Sequence, residues 1–432
     1  MSSPLARSAE AADASPMEMD GMVMGSGGDA WGDRPAPMLM PIRPLYPGDW
    51  SPPGSVHVMG NFAAIVTNPG FAHASDPQLG RDHAYVLADW IMIEGRTRDG
   101  WLEGIFMPNF EALTFTRAGW YEIGQSGEGL WDRQHQHQLV HQALLALHLV
   151  GREERDPFKL TLWGGQGSAS IGPPIFMHRA SNPSPTVPRK HHKGENPHET
   201  FPVIGATFEW RGTALDVSAF SAYEFSPDDS RLYPRAHAPK SYAARLRQRI
   251  GPDVEVQISG ERLNDQGDRY VQLAAGAPIV DAGPEEDAYQ LSASIYGRSV
   301  GRVILDGLLD FALDAPVNGG HPSVYAWLGE LAVRSASMRD VGWSRIEIND
   351  RVEPDDVTVS RRWLFASIGY EHVAWVDPAS VFGLGVFLEI TAVHVPSVVE
   401  PEYGQSWGAT TTFGLHGQLM WMSGDHGMRH AM

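Results

Sequence analysis

The chain has 432 residues, of which 42% are hydrophobic, and a formal net charge of −19. The hydrophobic fraction is that of a folded protein, whereas the negative charge argues against a nucleic-acid partner, which would require a basic surface to neutralise phosphates. The chain has no cysteine. This excludes disulfides, thiolate zinc sites and cysteine nucleophiles.

The N-terminal segment, residues 1–55, is rich in Ser, Ala, Gly, Pro and Met and lacks hydrophobic periodicity, which predicts disorder. Its start carries Arg7, Glu10 and Asp13 and no apolar run, so it does not resemble a secretory signal peptide. For an exported protein we therefore expect the export signal to have been removed or to lie upstream. No stretch approaches about 20 apolar residues, so no transmembrane helix is predicted.

Strand-like segments follow: Val58–Thr67, Ala84–Glu94, Trp101–Pro108 and Lys159–Trp163. Between them, Leu139–Val150 fits either a helix or a strand. The glycine-rich Gly164–Gly167 is predicted to end the Lys159–Trp163 strand. Residues 164–200 are rich in Pro and His, and we predict that they form an inserted loop that folds inward or caps one mouth of the fold.

The clearest periodicity lies in residues 242–250 and 254–261, where apolar and charged or polar side chains alternate with a period of two. This period is typical of a β-strand. The Gly-Pro-Asp tripeptide between the two segments predicts a hairpin with a three-residue loop. Such a hairpin places Arg249 opposite Glu255.

The alternation continues through the rest of the chain: Val203–Trp210, Leu215–Phe225, Asp287–Arg298, Arg302–Leu313, Val324–Arg334, Trp343–Asn349, Trp363–Glu371, Val381–His394 and Thr410–Met422. Few segments have the periodicity of a helix. We therefore predict an all-β protein with about 14–16 antiparallel strands.

Charged residues on one face of these strands bear on the architecture. They lie mid-strand, opposite the aliphatic side chains: Arg245, Arg247, Arg249, Glu255, Glu261, Glu330, Arg334, Arg345, Glu347 and Glu389. A soluble two-layer sandwich with these charges in water is one interpretation. Single aromatics such as Trp210 and Trp421 near strand ends favour the interfacial girdles of a membrane barrel.

We predict an up-and-down transmembrane β-barrel formed by residues 56–424, in the bacterial outer membrane, with lipid as its surrounding partner. Residues 425–432 would form a His- and Met-containing tail.

A histidine-rich region lies before the regular strands. Asp132 and Arg133 precede His135 and His137, and an extended backbone would place both imidazoles on one side, where they can share a copper, zinc or nickel ion. Further candidate residues are Met177, His178, Arg179, His192 and His198. The same side chains also fit a buried hydrogen-bond network that holds a loop in place, and the sequence leaves both interpretations open.

A methionine-rich tract is the second indication of metal binding. Met17, Met19, Met22 and Met24 surround two acidic residues near the N-terminus, and the C-terminal tail again mixes His with Met. Soft thioether ligands prefer Cu(I), so these tracts predict transient copper binding. A flexible tail in which Met is incidental is the other interpretation.

Several motifs together resemble one family. They are Asp-Arg-Gln-His-Gln-His-Gln at 132–138, Gly-Pro-Pro-Ile-Phe-Met-His-Arg at 172–179, Ser-Asn-Pro from 181 and His-Glu-Thr-Phe-Pro-Val at 198–203. They are similar to a family of bacterial outer-membrane proteins often encoded near multicopper oxidases and other copper-resistance proteins. That family's first motif usually reads Asp-Arg-Gln-His-Pro-His-Asp, so Gln136 and Gln138 depart from it.

The resemblance spans roughly residues 57–310. It implies an outer-membrane barrel associated with copper, and a periplasmic multicopper oxidase as a partner. Carried over by position, it implies binding roles for Asp132, Arg133, Met177 and Arg179. It also implies that five histidines are metal ligands: His135, His137, His178, His192 and His198.

The functional hypothesis is a channel or binding protein in copper tolerance, with copper or another metal ion as the bound species. A general porin for small solutes, with a structural His/Arg cluster, is the first alternative. The second is an enzyme that uses the His/Asp/Arg cluster, although the sequence contains no recognisable nucleophile arrangement.

Overall fold

The computed structural model describes residues 53–75, 80–108, 110, 120–121, 131–132, 140–152, 156–173, 200–222, 237–251, 253–265, 268–271, 280–284, 287–320, 322–335, 337, 339–352, 360–377 and 382–423. The predicted N-terminal segment and His/Met tail lie almost entirely outside these ranges. Within them, no helix is long and apolar enough to cross a membrane.

Sixteen antiparallel strands form a closed barrel. They are β1 (Val56–Asn68), β2 (His83–Arg96), β3 (Leu102–Pro108), β6 (Val140–Val150), β7 (Phe158–Gly167), β8 (Thr200–Trp210), β9 (Thr213–Phe220), β10 (Ser241–Ile250), β11 (Val254–Leu263), β14 (Ala288–Val300), β15 (Val303–Pro316), β16 (Val324–Ser335), β17 (Asp340–Val352), β18 (Ser360–Val376), β19 (Phe382–His394) and β20 (Trp407–Ser423). Each pairs with the next in this order, and β1 closes the barrel by pairing with β20. The predicted up-and-down barrel is confirmed.

Four short strands lie in the connections and form two small sheets of their own. They are β4 (Trp120–Tyr121) with β5 (Trp131–Asp132), and β12 (Asp268–Val271) with β13 (Val280–Pro284). A single-turn helix, α1 (Glu400–Tyr403), lies between β19 and β20.

The predicted hairpin is confirmed in register. In the β10–β11 pair, Arg249 lies opposite Glu255 and Ile250 opposite Val254. Arg245 and Arg247 are buried on the inside of the barrel, whereas Leu246 on the same strand is exposed on the outside. The alternation seen in the sequence therefore separates the two faces of the barrel wall.

The outer face of the barrel is apolar and exposed. Ile258, Leu309 and Ile368 are 61%, 63% and 66% exposed, although each lies well inside its strand. No second layer of described residues covers this face, so the sandwich interpretation is wrong. An apolar exterior around a polar interior is stable in hydrocarbon, because a closed barrel satisfies every backbone hydrogen bond within the wall.

The two ends of the barrel differ in the length of their connections. At one end the strands are joined by short turns, such as residues 211–212 and 251–253. Strand β1 begins and strand β20 ends at this same end. At the other end the connections are longer, as in residues 109–139 and 168–199. This asymmetry of short turns and long loops is typical of outer-membrane barrels.

Three local predictions are corrected or resolved. Strand β7 continues through Gly164–Gly167, where the sequence suggested a break, because it pairs with β6 as far as Gln166 and its ladder to β8 passes through a bulge between Gly165 and Gly167. At Gly165, with φ of 143°, a Cβ would lie 2.1 Å from the Ala143 carbonyl oxygen, so only glycine fits there. Strand β9 ends at Phe220, short of the predicted Phe225, and Leu139–Val150 is the strand β6.

Two inward tryptophans cover glycines on the neighbouring strand. A Cβ on Gly205 would lie 2.3 Å from the Trp163 ring, and one on Gly369 would lie 2.0 Å from the Trp343 ring. Each tryptophan is directly opposite its glycine in the ladder. These cross-strand pairs hold two parts of the wall in register.

The lipid-facing assignment can be tested with a charge on the outer wall. Ile368 lies mid-strand, so Ile368→Arg is expected to lower the free energy of unfolding in lipid vesicles by about 2–4 kcal/mol. Ile250 ends its strand at a short turn, and Ile250→Arg is expected to cost no more than about 1 kcal/mol. Urea titrations of both variants measure the difference. Equal costs would contradict a hydrocarbon layer around the barrel.

Candidate functional site

The inward faces of the strands form a wall rich in buried carboxylates. Twelve acidic side chains on the inward faces of the described strands are buried, against four arginines. The acids are Glu94, Glu103, Glu209, Asp216, Glu255, Glu261, Asp306, Asp310, Glu330, Glu347, Glu371 and Glu389, and the arginines are Arg245, Arg247, Arg334 and Arg345. This interior is the candidate functional site because it combines most of the buried charge of the described residues.

Asp216 of β9 is the centre of one charge cluster. Its Oδ2 accepts hydrogen bonds from Arg245 Nε at 3.0 Å and from Arg247 Nε at 2.9 Å, both on β10. Thr207 on β8 donates to Asp216 Oδ1 at 2.8 Å, and Trp163 Nε1 donates to the Thr207 hydroxyl at 3.3 Å. One carboxylate thus links three strands of the wall.

The segment that follows β7 enters the barrel. Residues 168–173 are mostly buried, and the Ser170 and Gly172 amides donate to the hydroxyls of Ser218 and Ser259, each at 2.9 Å. The Gly172 carbonyl accepts from Arg245 Nη1 at 3.0 Å. This is the described part of the predicted inward loop, and the wall fixes its backbone through both donors and acceptors.

A second cluster is centred on Asp306 of β15. Arg334 Nε donates to Asp306 Oδ2 at 3.2 Å, and the Tyr296 hydroxyl donates to Oδ1 at 3.0 Å. Arg298 Nε lies 3.9 Å from the same carboxylate. These residues lie near the short-turn end of β14, β15 and β16.

A third cluster crosses β17 and β19. Arg345 Nε lies 2.9 Å from Glu347 Oε1, and Arg345 Nη2 lies 3.7 Å from Glu389 Oε1. Trp343 Nε1 donates to Glu389 Oε2 at 2.7 Å. The Arg345 and Glu347 side chains are fully buried. Such a pair is stable only because both charges are present.

Three buried histidines of the wall each contact a glutamate. The nitrogen–oxygen distances are 2.9 Å for His57–Glu94, 2.8 Å for His148–Glu103 and 3.0 Å for His416–Glu371. His148 also contacts the Thr161 hydroxyl at 3.1 Å, and His416 contacts Asn61. These are hydrogen-bonded pairs, and in the described part of the chain no group of three or more His, Asp or Glu residues could hold a metal ion.

The sequence-predicted site residues lie almost wholly outside the described residues. Asp132 ends the short strand β5. The others are not among the residues that the structure describes: Arg133, His135, His137, Met177, His178, Arg179, His192, His198, Met17, Met19, Met22 and Met24. Their proposed roles therefore stay predictions.

The two connections that carry the sequence motifs are attached to adjacent strands of the barrel. Residues 109–139 join β3 to β6, and residues 168–199 join β7 to β8. In the barrel β3, β6, β7 and β8 are consecutive neighbours, so both connections leave the long-loop end from four adjacent strands, which together span about 15 Å.

Asp216, Asp306 and the three His–Glu pairs are not among the site residues predicted from the sequence. A signal for the first was present, since Asp216 lies directly opposite Arg245 in the β9–β10 ladder. Finding it requires knowing which strands pair and in what register, in addition to the alternation.

Comparison with known proteins supports the fold. No family model matches the chain, and no curated protein is significantly similar to it. Among solved structures, Pseudomonas putida OprB has a TM-score of 0.50 at 11% identity, over 85% of this chain and 94% of that one. OmpT of Vibrio cholerae has 0.46 at 10% identity (88% and 100%), and an anion-selective porin from Comamonas acidovorans has 0.45 at 9% identity (85% and 100%).

The barrel is an outer-membrane barrel. Its closed antiparallel wall, apolar exterior, polar interior and alternation of short turns with long connections are the features of that class, and the OprB likeness shows the same fold. The protein therefore lies in the bacterial outer membrane, as the sequence predicted.

The Asp216 cluster yields a stability prediction. Asp216→Ala leaves Arg245 and Arg247 buried without their shared carboxylate, so the free energy of unfolding should fall by about 3–5 kcal/mol. The control is Asp265→Ala, which breaks an exposed pair with Lys240 and should cost no more than about 1 kcal/mol. Urea unfolding in lipid vesicles measures both. Similar small losses would show that the buried cluster does not stabilise the wall.

Proposed function

We propose that this protein is an outer-membrane channel for small cations in metal tolerance, with copper as the cation captured at its long-loop end. The observation that carries the proposal is the excess of buried carboxylates over arginines on the described inner wall.

The charge of the wall supports selection of cations. Carboxylates facing a confined, low-dielectric passage lower the energy of a cation and raise that of an anion. The chain as a whole also carries a net charge of −19, which attracts cations towards the barrel at low ionic strength.

The copper part of the proposal is supported by residue chemistry. Thioether sulfur and imidazole nitrogen are suitable copper ligands. The motif residues around His135 and His178 belong to connections anchored on adjacent strands at one end of the barrel. Capture at that end by the His motifs would supply copper to the barrel. The Met-rich N-terminal segment joins β1 at the short-turn end, where it would bind copper for transfer to a periplasmic multicopper oxidase.

A general porin for small solutes is the second candidate. Its support is the fold likeness to Pseudomonas putida OprB over most of both chains. In that case the His and Arg residues of the long connections would have a structural role, and copper would not bind them.

Ion selectivity tests the channel. In planar bilayers with a tenfold KCl gradient, we expect the reversal potential to have the sign of a potassium-selective pore. Its magnitude should fall as ionic strength rises, because salt screens the wall carboxylates. The measurement is made on the full chain without copper. Chloride selectivity, or no conductance, would overturn the cation-channel assignment.

Copper binding tests the ligand set. The double variant His135→Ala/His137→Ala should bind copper at least about tenfold more weakly than the unaltered chain. His372→Ala is the matched control, since His372 is an exposed histidine paired with Asp340 at the short-turn end, and it should bind normally. Competition with a chelator of known affinity gives the constants. Equal binding by all three proteins would favour the general porin.

A further inference from the structure

Two carboxylates of the inner wall have no compensating cation among the residues that the structure describes. Glu261 on β11 is 5% exposed, and its Oε2 has no hydrogen-bond partner. Asp314 on β15 is half-buried, and its buried Oδ1 also lacks one. Within the part of the chain that the structure describes, neither side chain belongs to an ion pair, in contrast to Asp216 and Asp306.

The ladder brings these two carboxylates to one place. Gln290 on β14 lies directly opposite Glu261 on one side and Asp314 on the other, and all three side chains point inward. Two strand spacings separate the Glu261 and Asp314 backbones by about 10 Å, a distance that the two side chains can largely bridge from opposite sides. The charges of Glu261 and Asp314 repel each other.

The arginine nearest to Glu261 on the neighbouring strand, Arg245, forms its hydrogen bonds with other groups. On the β10 side, Ala243 lies opposite Glu261 and supplies no charge. Arg245, the next inward residue of that strand, donates to Asp216 at 3.0 Å and to the Gly172 carbonyl at 3.0 Å.

Apolar residues border the same position. Leu263 is the next inward residue after Glu261 on β11, and it lies opposite Ala288 on β14. Both belong to one buried hydrophobic cluster with Ile171 of the inward segment. A carboxylate among such groups is costly unless a proton or a cation neutralises it.

We propose that Glu261 and Asp314, with Gln290 between them, bind a hard divalent cation of the Ca²⁺ class. Two carboxylates and an amide oxygen form an all-oxygen donor set, which Ca²⁺ and Mg²⁺ prefer and copper does not. Ca²⁺ suits the site better, because it tolerates irregular geometry and water completes its coordination.

The position of the site allows an ion to enter. Glu261 lies two residues before the end of β11, and Asp314 two residues before the end of β15, both at the long-loop end of the barrel. The site is separate from the His and Met motifs, so it goes beyond the copper proposal and does not depend on it.

Calcium binding by the full chain in detergent tests the site after chelation with EDTA. Isothermal titration with CaCl₂ should show one site with a Kd on the order of 0.1–1 mM, and added Ca²⁺ should raise the unfolding temperature. Glu261→Gln and Asp314→Asn should each weaken binding at least about tenfold and abolish most of the thermal shift. Copper should not displace Ca²⁺ in a competition titration.

The matched control is Glu255→Gln, which changes the same residue type on the same strand but at a carboxylate paired with Arg249 at 3.6 Å. It should bind Ca²⁺ as the unaltered chain does. In EDTA, Glu261→Gln should be at least as stable as the unaltered chain, because it removes an unpaired buried charge. No calcium-dependent shift in the unaltered chain would overturn the site and indicate that a proton neutralises the pair. An equal shift in all four proteins would overturn it as well, by placing the ion elsewhere.

Discussion

The structure depends on the contact between its apolar outer face and hydrocarbon. That contact is favourable only if the wall exposes no unpaired backbone groups, so the sheet must close on itself. The pairing of β1 with β20 along the whole length of β1 achieves this closure. Once the sheet is closed, every second residue of each strand must face inward. The polar and charged side chains occupy these inward positions and line the interior of the barrel.

That interior is a set of charge clusters that tie neighbouring strands together. Asp216 holds arginines of β10 and a threonine of β8, Asp306 holds Arg334, and Glu389 accepts from Trp343 while facing Arg345. A buried charge is destabilising unless an opposite charge lies beside it. A shift in register would separate the charges of these clusters, so the clusters favour the observed strand register as well as stabilising the wall. Glu261 and Asp314 are exceptions to this pairing, and for that reason they carry the proposal of a cation site.

The same wall fixes the backbone of the segment after β7. Ser218 and Ser259 accept from its amides, and Arg245 donates to its carbonyls. Arg245 therefore serves two purposes, since it neutralises Asp216 and holds a segment inside the barrel. An acidic wall with an inward segment is the physical basis for proposing selective passage of cations in place of an unselective pore.

The sequence is sufficient to predict the fold class, the inward and outward faces, and the Arg249–Glu255 register, because side chains alternate with a period of two and a three-residue turn leaves one register for the hairpin. It also placed candidate copper ligands, whose roles stay predictions. It did not determine that Gly164–Gly167 continues a strand, since that depends on pairing with β6 and on a bulge against β8. Which charges lie together could not be predicted from the sequence, because strand pairing around the barrel, and not spacing along the chain, brings together Asp216 with Arg247, His57 with Glu94, and Glu261 with Asp314.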